Sequence, residues 1–268
     1  IQRIRLPTSL PCHLKNPRPI HCVPAIPLKY CSEVNRISKT GKQAMMQFIR
    51  KNIFTFFWII ALLDLVSLQA QQPGLHIVFK PLLLPILLAA VLLHTNASRL
   101  RHWLIAGFLF SFAGDIFLLF DNTEPLYFIA GLSSFLLTHI FYIILLLQVK
   151  QRTKSLLKKQ PLLLLIVTGY CTALLYVLIP SLGDLKLPVM IYAIVIGIMV
   201  LCALHAYRSL PKEAGKYIVC GAICFIMSDT LLAIDRFYKP LQYAGVAIML
   251  TYCMAQFLIA KGFIKMQD

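Results

Sequence analysis

From Ile53 to the C-terminus the chain alternates between long apolar runs and short polar joints, with no period-two alternation inside the runs. Eight runs can be counted, at 53–70, 76–94, 103–120, 126–148, 161–179, 186–206, 217–235 and 240–262. Each matches the roughly 17–25 residues a helix needs to cross a hydrocarbon core. Backbone polar groups in lipid must be satisfied within the segment, so such runs predict helices. The expected fold is therefore all-α, an integral membrane bundle of eight transmembrane helices. The first run ends at Leu68-Gln69-Ala70 like a signal peptide, but Asp64 inside its apolar region argues for a retained helix.

The basic residues of the joints predict orientation by the positive-inside rule. Arg99 and Arg101 follow the second run, and Lys150, Arg152, Lys154, Lys158 and Lys159 follow the fourth. Arg208, Lys212 and Lys216 follow the sixth, and Lys261 and Lys265 close the chain. The opposite joints hold Lys186, Arg236 and Lys239, offset by Asp121, Glu124 and Asp184. Both termini are thus expected to be cytoplasmic.

Composition agrees and adds one boundary. The chain of 268 residues is 59% apolar and 13% charged, with a mean hydropathy of +0.77, against about 45–50% and about 25% in globular proteins. Its net charge of +16 reflects joints and the N-terminal stretch, so nucleic acid is not an expected partner. Residues 1–44 carry Pro7, Pro11, Pro17, Pro19, Pro24 and Pro27 and no apolar periodicity, which predicts disorder. This stretch reads as a transit peptide, or as an extension upstream of a start at Met45 or Met46. Residues 45–268 form the membrane domain. Cys12, Cys22 and Cys31 match neither a zinc pair nor a disulfide framework.

Besides Asp64, two acids fall well inside the apolar runs: Asp115 in SFAGDIFLLF and Asp229 in GAICFIMSDTLLAID. An acid at mid-membrane costs about 2.5–3.5 kcal/mol on insertion scales, so it is protonated or faces a partner in the protein interior. Each lies twelve residues past the expected cytoplasmic start of its run, about 18 Å up at ~1.5 Å per residue. They share a level, and the expectation is one wet cavity between them. Asp64 lies near the same height, Lys80-Pro81 enters the second run from the outer side, and Tyr192 and Tyr252 reach the same half. His139, Tyr142 and Gln256 lie lower. Lys80 could equally snorkel to headgroups, and His139 could be an interior histidine bonded to its neighbours. Gly114-Asp115 and Ser228-Asp229 each fall in the third helix of a four-span half, an internal echo consistent with a parallel repeat.

Lys80-Pro81, Gly114-Asp115, Gly131-Leu132 with Phe135, His139 and Tyr142, Gly221-Ala222 with Phe225 and Ser228-Asp229, then Tyr252 with Ala255-Gln256 stand in an order that resembles the YhhN family of eight-span proteins. The resemblance covers about residues 53–262. It implies a lysoplasmalogenase: hydrolysis of a lysolipid vinyl ether to a fatty aldehyde and a glycerophospho-ethanolamine or -choline, without a metal or other cofactor. Protonation of the outer alkenyl carbon gives an oxocarbenium-like ion that water traps, chemistry that two carboxyls in unlike surroundings can perform. Asp115 and Asp229 are the expected catalytic pair. Lys80, His139, Tyr142, Tyr192, Ser228, Tyr252 and Gln256 are the expected substrate-binding residues, with Lys80 on the phosphate.

Competing chemistries lack their motifs. The spans hold no HExxH or H-x-x-x-H pair for zinc and no Gly-x-Ser-x-Gly elbow. A proton- or cation-coupled transporter is the alternative reading, since it would use the same acids. Short loops fit a bacterial inner membrane; for a eukaryotic source the resemblance implies the endoplasmic reticulum. The expected partners are lysophospholipid and membrane lipid.

Overall fold

The computed structural model describes residues 28–121, 124–150 and 155–267. The chain divides into two compact units, Ile1–Met46 and Gln47–Asp268. In the first unit, residues 28–46 are helical, which corrects the disorder expected through residue 44; residues 1–27 lie outside the described residues, as do Arg152 and Lys154 of the expected cytoplasmic joint. The described chain forms α1 (Leu28–Gln69), α2 (Pro73–His94), α3 (Arg99–Leu119), α4 (Pro125–Leu147), the short α5 (Leu156–Lys159), α6 (Leu162–Leu178), α7 (Lys186–Ala206), α8 (Lys212–Ala233) and α9 (Ala244–Gln267). A π-helical turn, Ile234–Tyr238, extends α8. No strand occurs among the described residues.

Eight of these helices are long and apolar enough to cross a membrane, as the hydropathy pattern predicts. The protein is a multi-pass integral membrane protein. The helices overrun the apolar runs where polar residues continue the turn. Helix α3 starts at Arg99, four residues before the expected span, because Ser98 caps it by accepting a bond from the Arg101 N–H at 3.2 Å. Helix α8 starts at Lys212, five residues early, behind Pro211. Helix α2 passes through Pro81 and Pro85 without a break in its assignment. Helix α5, outside the eight spans, was not anticipated.

The tightest pairs are α3 with α4 and α8 with α9, and glycines set both contacts. A Cβ on Gly114 would lie 2.8 Å from the Phe135 ring, and one on Gly107 would collide with the ring of Tyr142. Across the other pair, a Cβ on Gly221 would meet Ile259 Cγ1 at 2.8 Å and the Ala255 carbonyl at 3.1 Å. Small residues let membrane helices approach closely enough for dispersion contacts to replace the missing hydrophobic drive. Helix α6 is the opposite case: it exposes Leu162, Leu165, Ile166 and Tyr176 and buries Leu178, as a lipid-facing outer helix should. Aromatic side chains fill the centre, with Phe57, Phe108, Phe225 and Phe263 all fully enclosed.

Candidate active site

The two aspartates enter different polar groups. Asp115, on α3, is 2% exposed and accepts a 2.6 Å bond from the Tyr252 hydroxyl of α9. Behind Tyr252 the bonds run one way: Tyr142 O–H donates to Gln256 Oε1 (2.8 Å) and Gln256 Nε2 donates to Ser111 Oγ (2.7 Å). Ser111 Oγ then meets the Tyr252 oxygen at 2.9 Å. Because Tyr252 gives its proton to Asp115, Ser111 must be the donor in that last contact. Four successive donors therefore point at Asp115. Lys80 Nζ stands 3.9 Å from its other oxygen, with the lysine side chain 8% exposed.

Asp229, on α8, accepts at Oδ2 from the Tyr192 hydroxyl (2.6 Å) and contacts His139 Nε2 at 3.1 Å. His139 Nε2 is also 3.0 Å from the Tyr192 oxygen. Tyr192 donates to the carboxylate, so the imidazole proton on Nε2 serves both oxygens, while Nδ1 is buried with no partner. Both bonds fall on Oδ2, which leaves Oδ1 of Asp229 for the adjoining space.

That space is apolar. A small cavity is walled by Asp229 and Tyr192 with Leu118, Leu132, Phe135 and Phe237. Beside it, sharing Leu132 and Tyr192, a groove of ≈ 240 Å³ runs along α4 and α7 over Ser133, Leu136, Leu187 and Ile191. Asp115 lines neither.

One cavity common to both acids was expected, and the structure corrects this. Phe225, one turn before Asp229, inserts its ring between the two groups: its centroid lies 4.6 Å from His139 and 5.8 Å from the Tyr252 ring. Phe135 adds a second ring, 5.9 Å from Tyr252. Equal depth along parallel helices says nothing of azimuth, and the bulkiest side chains of the core occupy the space between. Other expected ligands are also placed. Lys80 pairs with Asp115 inside the bundle and does not snorkel to a headgroup. Ser228 spends its hydroxyl on the Ile248 carbonyl of α9 at 3.1 Å. Tyr142, Tyr252 and Gln256 belong to the Asp115 chain, and His139 and Tyr192 to Asp229.

Two participants were missed. Ser111 lies one helical turn before Asp115, a spacing that puts it on the same face and could have been read from the sequence. His76 Nδ1 holds Asp64 Oδ1 at 2.8 Å, leaving Asp64 Oδ2 buried without a partner; a lone histidine near a helix start gave no such signal. Among the described residues no three His, Cys, Asp or Glu side chains converge as a metal site would require.

Comparison with known proteins follows the same span. The YhhN family model matches residues 75–263. A Bos taurus protein, lysoplasmalogenase TMEM86A, is 32% identical over 189 residues, covering 68% of this chain and 71% of its own. The Mycobacterium bovis lysoplasmalogenase is 32% identical over 183 residues, 66% of each chain. Human lysoplasmalogenase TMEM86B is 33% identical over 136 residues, 50% of this chain and 53% of its own. No solved structure matches. A family model that extends from the start of α2 nearly to the end of α9, and contains Lys80, both aspartates and every tyrosine, histidine and glutamine bonded around them, places this chain in the YhhN family.

Proposed function

We propose that the protein is a lysoplasmalogenase, hydrolysing the vinyl ether of a 1-alkenyl lysophospholipid to a fatty aldehyde and a glycerophospho-alcohol, with Asp229 as the reacting acid. The observation that carries this reading is the position of Asp229. It is the intramembrane carboxyl that borders apolar space, and the groove on α4 and α7 reaches the tyrosine that holds it. Relatives named lysoplasmalogenase at about a third identity support the substrate class.

In this mechanism the alkenyl chain lies in the groove with its double bond beside Asp229. Tyr192 and His139 hold Oδ2 as an acceptor, which leaves Oδ1 as the oxygen that delivers a proton when Asp229 acts as the acid. That proton passes to the outer alkenyl carbon, and the π electrons of the double bond form the new C–H bond. The resulting oxocarbenium ion faces the carboxylate just created, which stabilises it electrostatically. Water adds to the ether-bearing carbon and yields its proton to Asp229, restoring the acid. The hemiacetal then collapses: its C–O bond to glycerol breaks, its hydroxyl proton is transferred to the glycerol oxygen, and aldehyde leaves. Asp115 is the unlike carboxyl, bound by Lys80 and the hydroxyl chain, and it orders the core behind Phe225. No step draws on a metal. Both termini on the cytoplasmic side complete the picture.

The test is aldehyde release by purified protein in detergent from 1-alkenyl lysophosphoethanolamine, with and without chelator. Release that survives chelation and is lost in Asp229→Asn is expected. Wild-type rates in a correctly inserted Asp229→Asn protein would overturn the assignment. Substrate accumulation in vesicles without aldehyde would favour the transporter reading.

A further inference from the structure

At the end of the bundle that carries the α1–α2 and α8–α9 connections lies a polar bowl of ≈ 520 Å³, within the size range of ligand sites. Its polar lining is Gln69 at the end of α1, Gln71 in the first connection, Asp235 in the π-helical turn, and Gln242 and Tyr243 in the second connection. Asp235 is the sole charged residue in that lining; no lysine or arginine contributes. One of its oxygens, Oδ1, accepts the Leu241 backbone N–H at 2.8 Å, which fixes the carboxylate and leaves Oδ2 for the bowl. Arg236, the adjacent cation, is committed elsewhere, 3.7 Å from Asp121 and stacked on Phe128. Gln71 and Tyr243 are the two non-glycine residues with left-handed backbone among those described, at φ +53° and +61°. Both sit on this rim. Such conformations are strained and persist where the surroundings impose them, often at ligand sites.

We infer that the bowl holds the ammonium end of a lysolipid headgroup. A single carboxylate is the counter-ion, the glutamine amides supply polar contacts, and Tyr243 supplies an aromatic face of the kind that attracts alkylammonium groups. The same lining disfavours a bare phosphate, which would meet an anion and no basic partner. The inference rests on the hydrolase reading for the identity of the ligand as substrate. Asp235 follows Asp229 by six residues along α8 and its π-helical turn, about 9 Å further toward the end of the bundle at α-helical rise.

The experiment uses saturated ether analogues, which lack the alkene and are not hydrolysed. Binding of 1-alkyl lysophosphoethanolamine and of 1-alkyl lysophosphate is measured on the purified full chain, wild type against Asp235→Asn. Asparagine keeps the acceptor for Leu241 and removes the charge. The wild type should prefer the amine-bearing analogue about tenfold, and Asp235→Asn should abolish that preference. Gln242→Lys, an exposed change that brings a cation into the bowl, should do the same and guards against misfolding of the first variant. Equal affinities in the wild type, or a preference that both variants retain, would overturn the site. Aldehyde release by the wild type from the alkenyl lipid separately tests the hydrolase. A tenfold preference in a protein that releases no aldehyde would keep the bowl and discard that reading.

Discussion

Each aspartate is capped by a tyrosine hydroxyl at 2.6 Å, yet the two caps do different work. Tyr192 meets an acid that borders apolar space; Tyr252 ends a chain of donors aimed at an acid sealed from it. Removing the hydroxyl from Tyr192 leaves the ring in the groove and deletes a bond that becomes charge-assisted as Asp229 gives up its proton, worth about 1.5–3 kcal/mol. Tyr192→Phe should therefore lower kcat for aldehyde release by about ten- to a hundredfold with little change in KM, read by steady-state kinetics. Tyr252→Phe should leave the rate within a few-fold and register as lost thermal stability. The presence of two intramembrane acids was legible in the sequence because charge inside an apolar run is conspicuous. Their separation was not, since hydropathy gives depth and the insertion of Phe225 is a matter of helix rotation. His76 and Ser111 stayed hidden for a related reason: neither is costly enough in a membrane to stand out alone.

Among the elements, α8 and α9 form the most extensive pair, and Gly221 lets them pack closely. A methyl there would press on Ile259 and on the Ala255 carbonyl, and backbone cannot swing aside as a side-chain tip can. Gly221→Ala should cost about 1–3 kcal/mol by overpacking, measured as a lowered unfolding midpoint in detergent. Gly169, with open space around its Cβ position, should accept alanine without loss. The groove between α4 and α7 makes a functional prediction of the same kind. Leu136→Trp should fill it and raise KM for long-chain alkenyl lipids at least several-fold while the protein elutes normally. Seven of the eight spans were readable to within a few residues, because apolar length dictates them; the first, expected from 53, belongs to a helix that starts at Leu28. Their polar extensions at Arg99 and Lys212 were not, since capping and headgroup contact continue a helix past the point where hydropathy ends.

Across the whole molecule, the buried charges close on one another. Lys80 and Asp115 form one pair and His76 and Asp64 another, and deleting one member strands its partner in low dielectric. Lys80→Met alone should destabilise by about 3–5 kcal/mol, whereas Lys80→Met with Asp115→Asn should recover most of the loss; a double-mutant cycle of unfolding free energies measures the difference. The two acids also connect the halves of the chain in a crossed fashion. Asp115, on the third span, is held by Tyr252 on the eighth, while Asp229, on the seventh, is held by His139 on the fourth. Each half thus lends the other the ligand that completes its carboxylate. A polypeptide wired this way behaves as a dimer whose subunits happen to share one backbone. Cut between α4 and α5, it should yield two fragments that are inert when made singly and regain aldehyde release when co-expressed.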